Sequence, residues 1–116
     1  GKAKREFLYV DDMAAASIYI MNIDKKTYDE HTTSMCNYIN IGSGNDLSIK
    51  ELAEIIKKIT GFKGKIKFDP TKLEGSPRKF LDIRRMNNLG FKPKIDLEEG
   101  LTKTYEDYLA NINGNI

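Results

Sequence analysis

The chain has 116 residues, 40% of them hydrophobic and 31% charged, with 19 basic against 17 acidic side chains and a formal charge of +2; that suffices for one modest domain and not for two. So even a balance gives no basic face for nucleic acid or an anionic membrane, and no apolar run approaches the ~20 residues of a membrane span. The single cysteine, Cys36, excludes an internal disulfide, and with no apolar signal-peptide core at the start the expectation is a soluble, cytoplasmic chain.

Arg5, Glu6 and Phe7 run into Leu8-Tyr9-Val10, a strand-like stretch, and Asp11 or Asp12 is placed to cap a helix reaching about Asn22. Met13 to Ala16 propagate that helix well, and Ile18, Ile20, Met21 and Ile23 make it apolar nearly all round, so it expects a large partner. Residues 24–36 are polar and aperiodic and read as a loop or frayed helix end. Asn37 to Ile41 reads as a short strand closed by Gly42-Ser43-Gly44. Ser48 and Glu51 form a capping box, Ile49, Leu52, Ala53, Ile56 and Ile59 follow at helical spacing, and Gly61 stands where a C-cap belongs. Lys65 to Phe68 alternates as a strand with Ile66 and Phe68 inward. Asp69 to Lys79 is loop chemistry, Asp82 to Leu89 a short helix ended by Gly90, and Asp96 with Glu99 caps a last helix carrying Leu97, Leu101, Tyr105, Tyr108 and Leu109. Two strands make a poor sheet. Together with the apolar first helix, they lead us to expect a fragment of a larger protein.

The strand–GSG–helix stretch at residues 37–60 invites a dinucleotide reading. However, the fingerprint G-x-G-x-x-G has Leu47 at its third glycine position here, which favours a plain tight turn. His31 is the only histidine, without a second histidine or paired cysteine to share a metal, and Cys36 has no partner base at a recognisable spacing. No tyrosine is followed four residues later by lysine, so the Tyr–Lys pair of short-chain dehydrogenase hydride chemistry is absent. Two basic clusters remain. Arg5 stands beside an apolar run, and Arg78-Lys79 follow Gly75-Ser76-Pro77. An Arg fork and a mobile Lys at one mouth suit a phosphate, and Glu74 adds an acceptor for a sugar hydroxyl. A solvated charged loop is the competing reading.

REFLYVDDMAAASI, NYINIGSGNDLSIKELA, GFKGKIKFD and EGSPRKFLDIRRMNNLGF, in that order, resemble the C-terminal part of the GDP-L-fucose synthase family, within the extended short-chain dehydrogenases and the NAD-dependent epimerase/dehydratase superfamily. The resemblance runs from about Arg5 to Leu109. It implies an α/β fold in which residues 1–116 form a small α+β substrate-binding lobe, mostly helical with a few short strands. The N-terminal Rossmann domain, which holds NADP and the catalytic Ser, Tyr and Lys, lies outside this chain. The family converts GDP-4-keto-6-deoxy-mannose to GDP-L-fucose by epimerising two carbons beside the ketone and reducing the ketone with NADPH. Carried over, Arg5 holds the diphosphate, Lys79 and the acid at Glu74 contact the GDP-sugar, and Arg78 is their neighbour in the motif. Glu74 stands where the family usually has Asp. The lobe alone is expected to be inactive, its partners being the GDP-sugar, its own Rossmann domain and, in the parent, a second subunit. The alternatives are a GDP-, UDP- or dTDP-sugar epimerase or dehydratase, a stand-alone sugar-nucleotide-binding module, or an RNA-binding surface built on Lys63, Lys65, Lys67, Arg78, Lys79, Arg84 and Arg85.

Overall fold

A computed structural model describes residues 1–73 and 75–113. The elements are β1 (Lys4–Glu6), α1 (Val10–Asn22), α2 (Lys25–His31), β2 (Asp46–Ser48), α3 (Ile49–Thr60), β3 (Arg78–Lys79), α4 (Arg84–Asn88) and α5 (Leu97–Asn113). The three strands form one small mixed sheet in the order β2-β1-β3, with β2 antiparallel and β3 parallel to β1. The opening segment therefore supplies the central strand, and both neighbours depend on it.

Local signals set the helices. Ser48 accepts from the Glu51 amide at 3.1 Å while the Glu51 carboxylate accepts from the Ser48 amide at 2.7 Å, completing the capping box of α3. Gly61 ends α3 in the left-handed region at φ 69°, where its amide reaches back to the carbonyls of Lys57 and Lys58. Asp96 caps α5 through the Glu99 amide at 2.9 Å. Asp24 caps α2 through the Thr27 amide at 2.9 Å, so within the segment read as a loop or frayed helix end residues 25–31 form a separate capped helix.

Three further expectations are corrected. Helix α1 starts at Val10 with Tyr9 as its N-cap and no side-chain cap, so neither Asp11 nor Asp12 caps it. Asp12 is instead buried and accepts from the Lys94 and Ile95 amides at 3.0 and 2.9 Å, tying the lead-in of α5 to α1. Residues 37–41 form no ladder. Arg85 donates to the Cys36 and Tyr38 carbonyls at 2.9 and 2.8 Å, Tyr28 donates to the Asn37 carbonyl, and no strand among the described residues runs alongside. Residues 65–68 likewise have no neighbouring strand among the described residues, and Phe68 is 44% exposed, its ring lying on Gly1 instead of facing inward. A strand exists only where a second backbone completes its hydrogen bonds.

Among the described residues the buried apolar side chains are Ala3, Ala16, Met86 and Leu89, with Ala16 and Met86 fully enclosed. The chain spans 53 × 39 × 20 Å with a radius of gyration of 17.8 Å, against about 13 Å for a domain of this length. Its accessible surface is 8845 Å², against about 6,400 Å² for a folded monomer of this mass. Val10, Ile18 and Met21, on one side of α1, are exposed by 68%, 61% and 83%.

Candidate anion-binding site

Register on the central strand decides which charges meet. Arg5 pairs with Leu47 on β2 and with Lys79 on β3, while Lys4 pairs with Ser48 and Arg78, and Glu6 with Asp46. Side chains alternate across a sheet and paired residues share a face. One face therefore carries Arg5, Leu47 and Lys79, and the other Lys4, Glu6, Asp46, Ser48 and Arg78.

On the first face an Arg fork and a Lys ammonium stand on adjacent strands. Arg5 is half-buried and its Nη1 donates to the Lys4 carbonyl at 2.6 Å, which steadies the guanidinium; Lys79 is exposed. A hollow of about 360 Å³ lies beside the chain from Lys79 to Leu81, walled by Phe7, Met13 and Ile41. A larger groove of about 920 Å³ runs from Tyr9 and Leu47 to Ile95 and Leu101. Arg5 lines neither of the two.

The opposite face is internally neutralised. Asp46, its side chain only 9% exposed, accepts from Nε of Arg78 and lies 3.8 Å from the Lys4 ammonium. The bond from Arg78 holds its carboxyl below the ordinary carboxylate range, with the Lys4 charge adding to the effect. The Arg78 guanidinium also lies 4.4 Å from the centre of the Phe80 ring. The structure thus brings together Arg5 and Lys79 of the four site residues read from sequence, and turns Arg78 away from them. Glu74 lies outside the described residues.

Glu6 completes the arrangement. Its Oε1 accepts from the Gly44 amide at 2.7 Å and from the Ser43 hydroxyl at 3.4 Å, and its Oε2 from the Leu81 amide at 3.0 Å. A Cβ on Gly42 would stand 2.4 Å from Glu6 Oε1, so that glycine makes room for the carboxylate. This also explains the Gly42-Ser43-Gly44 turn. Its donors already face an anion, and the start of α3 is satisfied by its capping box, so the turn does not fit the pyrophosphate of a dinucleotide.

The remaining candidates lie apart. His31 Nδ1 is 2.9 Å from the Thr27 carbonyl within α2, and among the described residues no three His, Cys, Asp or Glu side chains gather as a metal site. Cys36 is held below the ordinary thiol range by the Tyr38 hydroxyl and by Arg85. Glu6, Asp46 and Asp12 were missed as organising residues. The one sequence signal was an acid within a strand-like run of charges, Lys4-Arg5-Glu6, close to a glycine turn only in space.

No family model matches the chain. It is 48% identical over 111 residues to a GDP-L-fucose synthase of Escherichia coli (strain K12), a match covering 96% of this chain and 35% of that protein. Its fold superposes with a TM-score of 0.85 on a GDP-6-OMe-4-keto-L-xylo-heptose reductase from Campylobacter jejuni, at 38% identity over 95% of this chain and 32% of the other. A GDP-mannoheptose C4 reductase from Campylobacter jejuni with NADP bound gives a TM-score of 0.79 at 40% identity, covering 94% and 32%. The chain therefore spans about a third of the length of the relatives it matches. The resemblance read from the REF–VDD, INIGSG and GSPRK motifs is borne out, and so is the α+β fold of helices with a few short strands.

Proposed function

We propose that residues 1–116 are the GDP-sugar-binding, C-terminal part of an NADP-dependent GDP-4-keto-6-deoxy-mannose 3,5-epimerase/4-reductase that makes GDP-L-fucose. The observation that carries this reading is the register of β1 and β3. It sets Arg5 directly opposite Lys79 on one face, in a chain 48% identical to a GDP-L-fucose synthase. In this reading Arg5 presents its planar fork to the diphosphate and Lys79 adds a mobile charge. The acid at Glu74 takes a sugar hydroxyl. Arg78, already bonded to Asp46, contributes by fixing the strand and not by touching the ligand.

These residues bind and orient the substrate. NADP supplies the hydride when bound, and the residues present do not form its site; we assign it to an N-terminal Rossmann domain of the same protein. The same domain accounts for the exposed apolar stripe of α1, which it would cover. Among the described residues no helix is long and apolar enough to cross a membrane. We assign the parent to the cytoplasm, and a homodimer is the assembly we expect for it.

Incubation of the full-length protein with NADPH and GDP-4-keto-6-deoxy-mannose tests the assignment. Loss of NADPH absorbance with appearance of GDP-L-fucose is the expected result. Turnover of a UDP- or dTDP-sugar with none of the GDP-sugar contradicts it.

A further inference from the structure

We infer that Glu6 is a positioning residue, acting on substrate through Lys79; the inference rests on the GDP-sugar reading above. Lys79 sits on the shortest strand of the sheet, and residues 75–82 around it are exposed, so packing does little to fix where its ammonium stands. Polar contacts to the β1–β2 pair hold it instead. The Lys4 amide donates to the Pro77 carbonyl at 2.8 Å, Arg78 donates to Asp46, and the Leu81 amide donates to Glu6 at 3.0 Å. Lys79 lies between the last two. Asp46 is itself on β2, and the other oxygen of Glu6 holds the Gly44 amide just ahead of β2. One carboxylate beside Arg5 therefore fastens both flanking segments to the central strand, two residues past Lys79 on one side and two residues before Asp46 on the other.

The chemistry requires a carboxylate of this length. Two amide donors, 37 residues apart in the chain, face its two oxygens separately. In Glu6→Gln one of those amides meets an NH2 group, donor against donor, and the side chain releases either the turn or β3. In Glu6→Asp the carboxylate falls short by a methylene and cannot span both. Neither change removes a charge aimed at the ligand, because Glu6 lies on the face opposite Arg5 and Lys79.

A double-mutant cycle on the full-length protein tests this, reading the equilibrium affinity for GDP-L-fucose and, in parallel, the melting temperature. Lys79→Ala alone is expected to weaken binding about tenfold. Glu6→Gln alone is expected to weaken it by a similar factor, and the two together by little more than either, since each removes the same contact. A simple loss of stability would lower the melting temperature and leave the Lys79→Ala effect intact in both backgrounds. Full additivity, or an unchanged affinity in Glu6→Gln, overturns the positioning role while leaving the GDP-sugar reading standing. An unchanged affinity in Lys79→Ala overturns that reading and this inference with it. If Glu6→Gln does not fold, Asp46→Asn loosens the bond to Arg78 at the other side of Lys79 and is carried through the same cycle with the same criteria.

Discussion

Adjacent residues on a strand face opposite ways, so the pair Arg78-Lys79 divides its two charges between structure and surface. Arg78 is matched with Asp46 and Phe80, whereas Lys79 is exposed across from Arg5. The two substitutions should therefore separate. Arg78→Ala is expected to lower stability by about 1 kcal/mol, the ordinary size of a partly exposed ion pair, and to be visible in thermal unfolding. Lys79→Ala should leave the melting temperature nearly unchanged. Carboxylates at caps, turns and ion pairs, Asp46 among them, also set a pH dependence. The folded protein holds Asp24, Asp46, Glu51, Asp69 and Asp82 below their ordinary values. For Asp82 the Arg84 guanidinium is the main cause, bringing it from 3.8 to about 2. A depressed carboxylate stabilises the fold above its unfolded value and loses that contribution as pH falls towards its folded one. The melting temperature should thus be flat near neutrality and fall as the pH drops from about 4.5 towards 2, less steeply in high salt.

At the level of elements, what was legible in the sequence was what is local. Helix α3 carries its start, its face and its stop within residues 48–61, and all three stand as read. Ser48→Ala is expected to cost about 1 kcal/mol by freeing the Glu51 amide. Gly61→Ala should cost about as much from backbone strain at φ 69°, because an added Cβ meets nothing there; denaturant unfolding measures both. The strands were not legible for the converse reason. Residues 37–41 and 65–68 have good strand composition, yet the neighbouring backbone a ladder needs is absent beside them among the described residues. Residues 46–48 and 78–79 have poor composition but pair with β1, where Leu47 stands 42 and Lys79 stands 74 positions from their shared register partner Arg5. The site divides the same way. Arg5 and Lys79 were legible through motifs, whereas Glu6 and Asp46 act across 32 to 75 residues, a distance no sequence window spans.

Across the whole molecule, the excess of surface over a compact monomer is about 2,400 Å², more than a standard protein–protein interface buries. It coincides with the exposed stripe of Val10, Ile18 and Met21. The stripe is accounted for if a second domain of the same protein packs over it. Binding energy in a divided site depends on the residues that each half holds in place before the ligand arrives, and in the proposed reading those of this half are Arg5 and Lys79.

The most direct test is calorimetric titration of the full-length protein with GDP-L-fucose, repeated with Arg5→Ala and with Lys79→Ala and with UDP as the control ligand. Saturable binding of GDP-L-fucose is expected, weakened about tenfold by either substitution, with much weaker binding of UDP. Equal affinity in all three proteins would show that the paired cations on β1 and β3 do not hold the substrate.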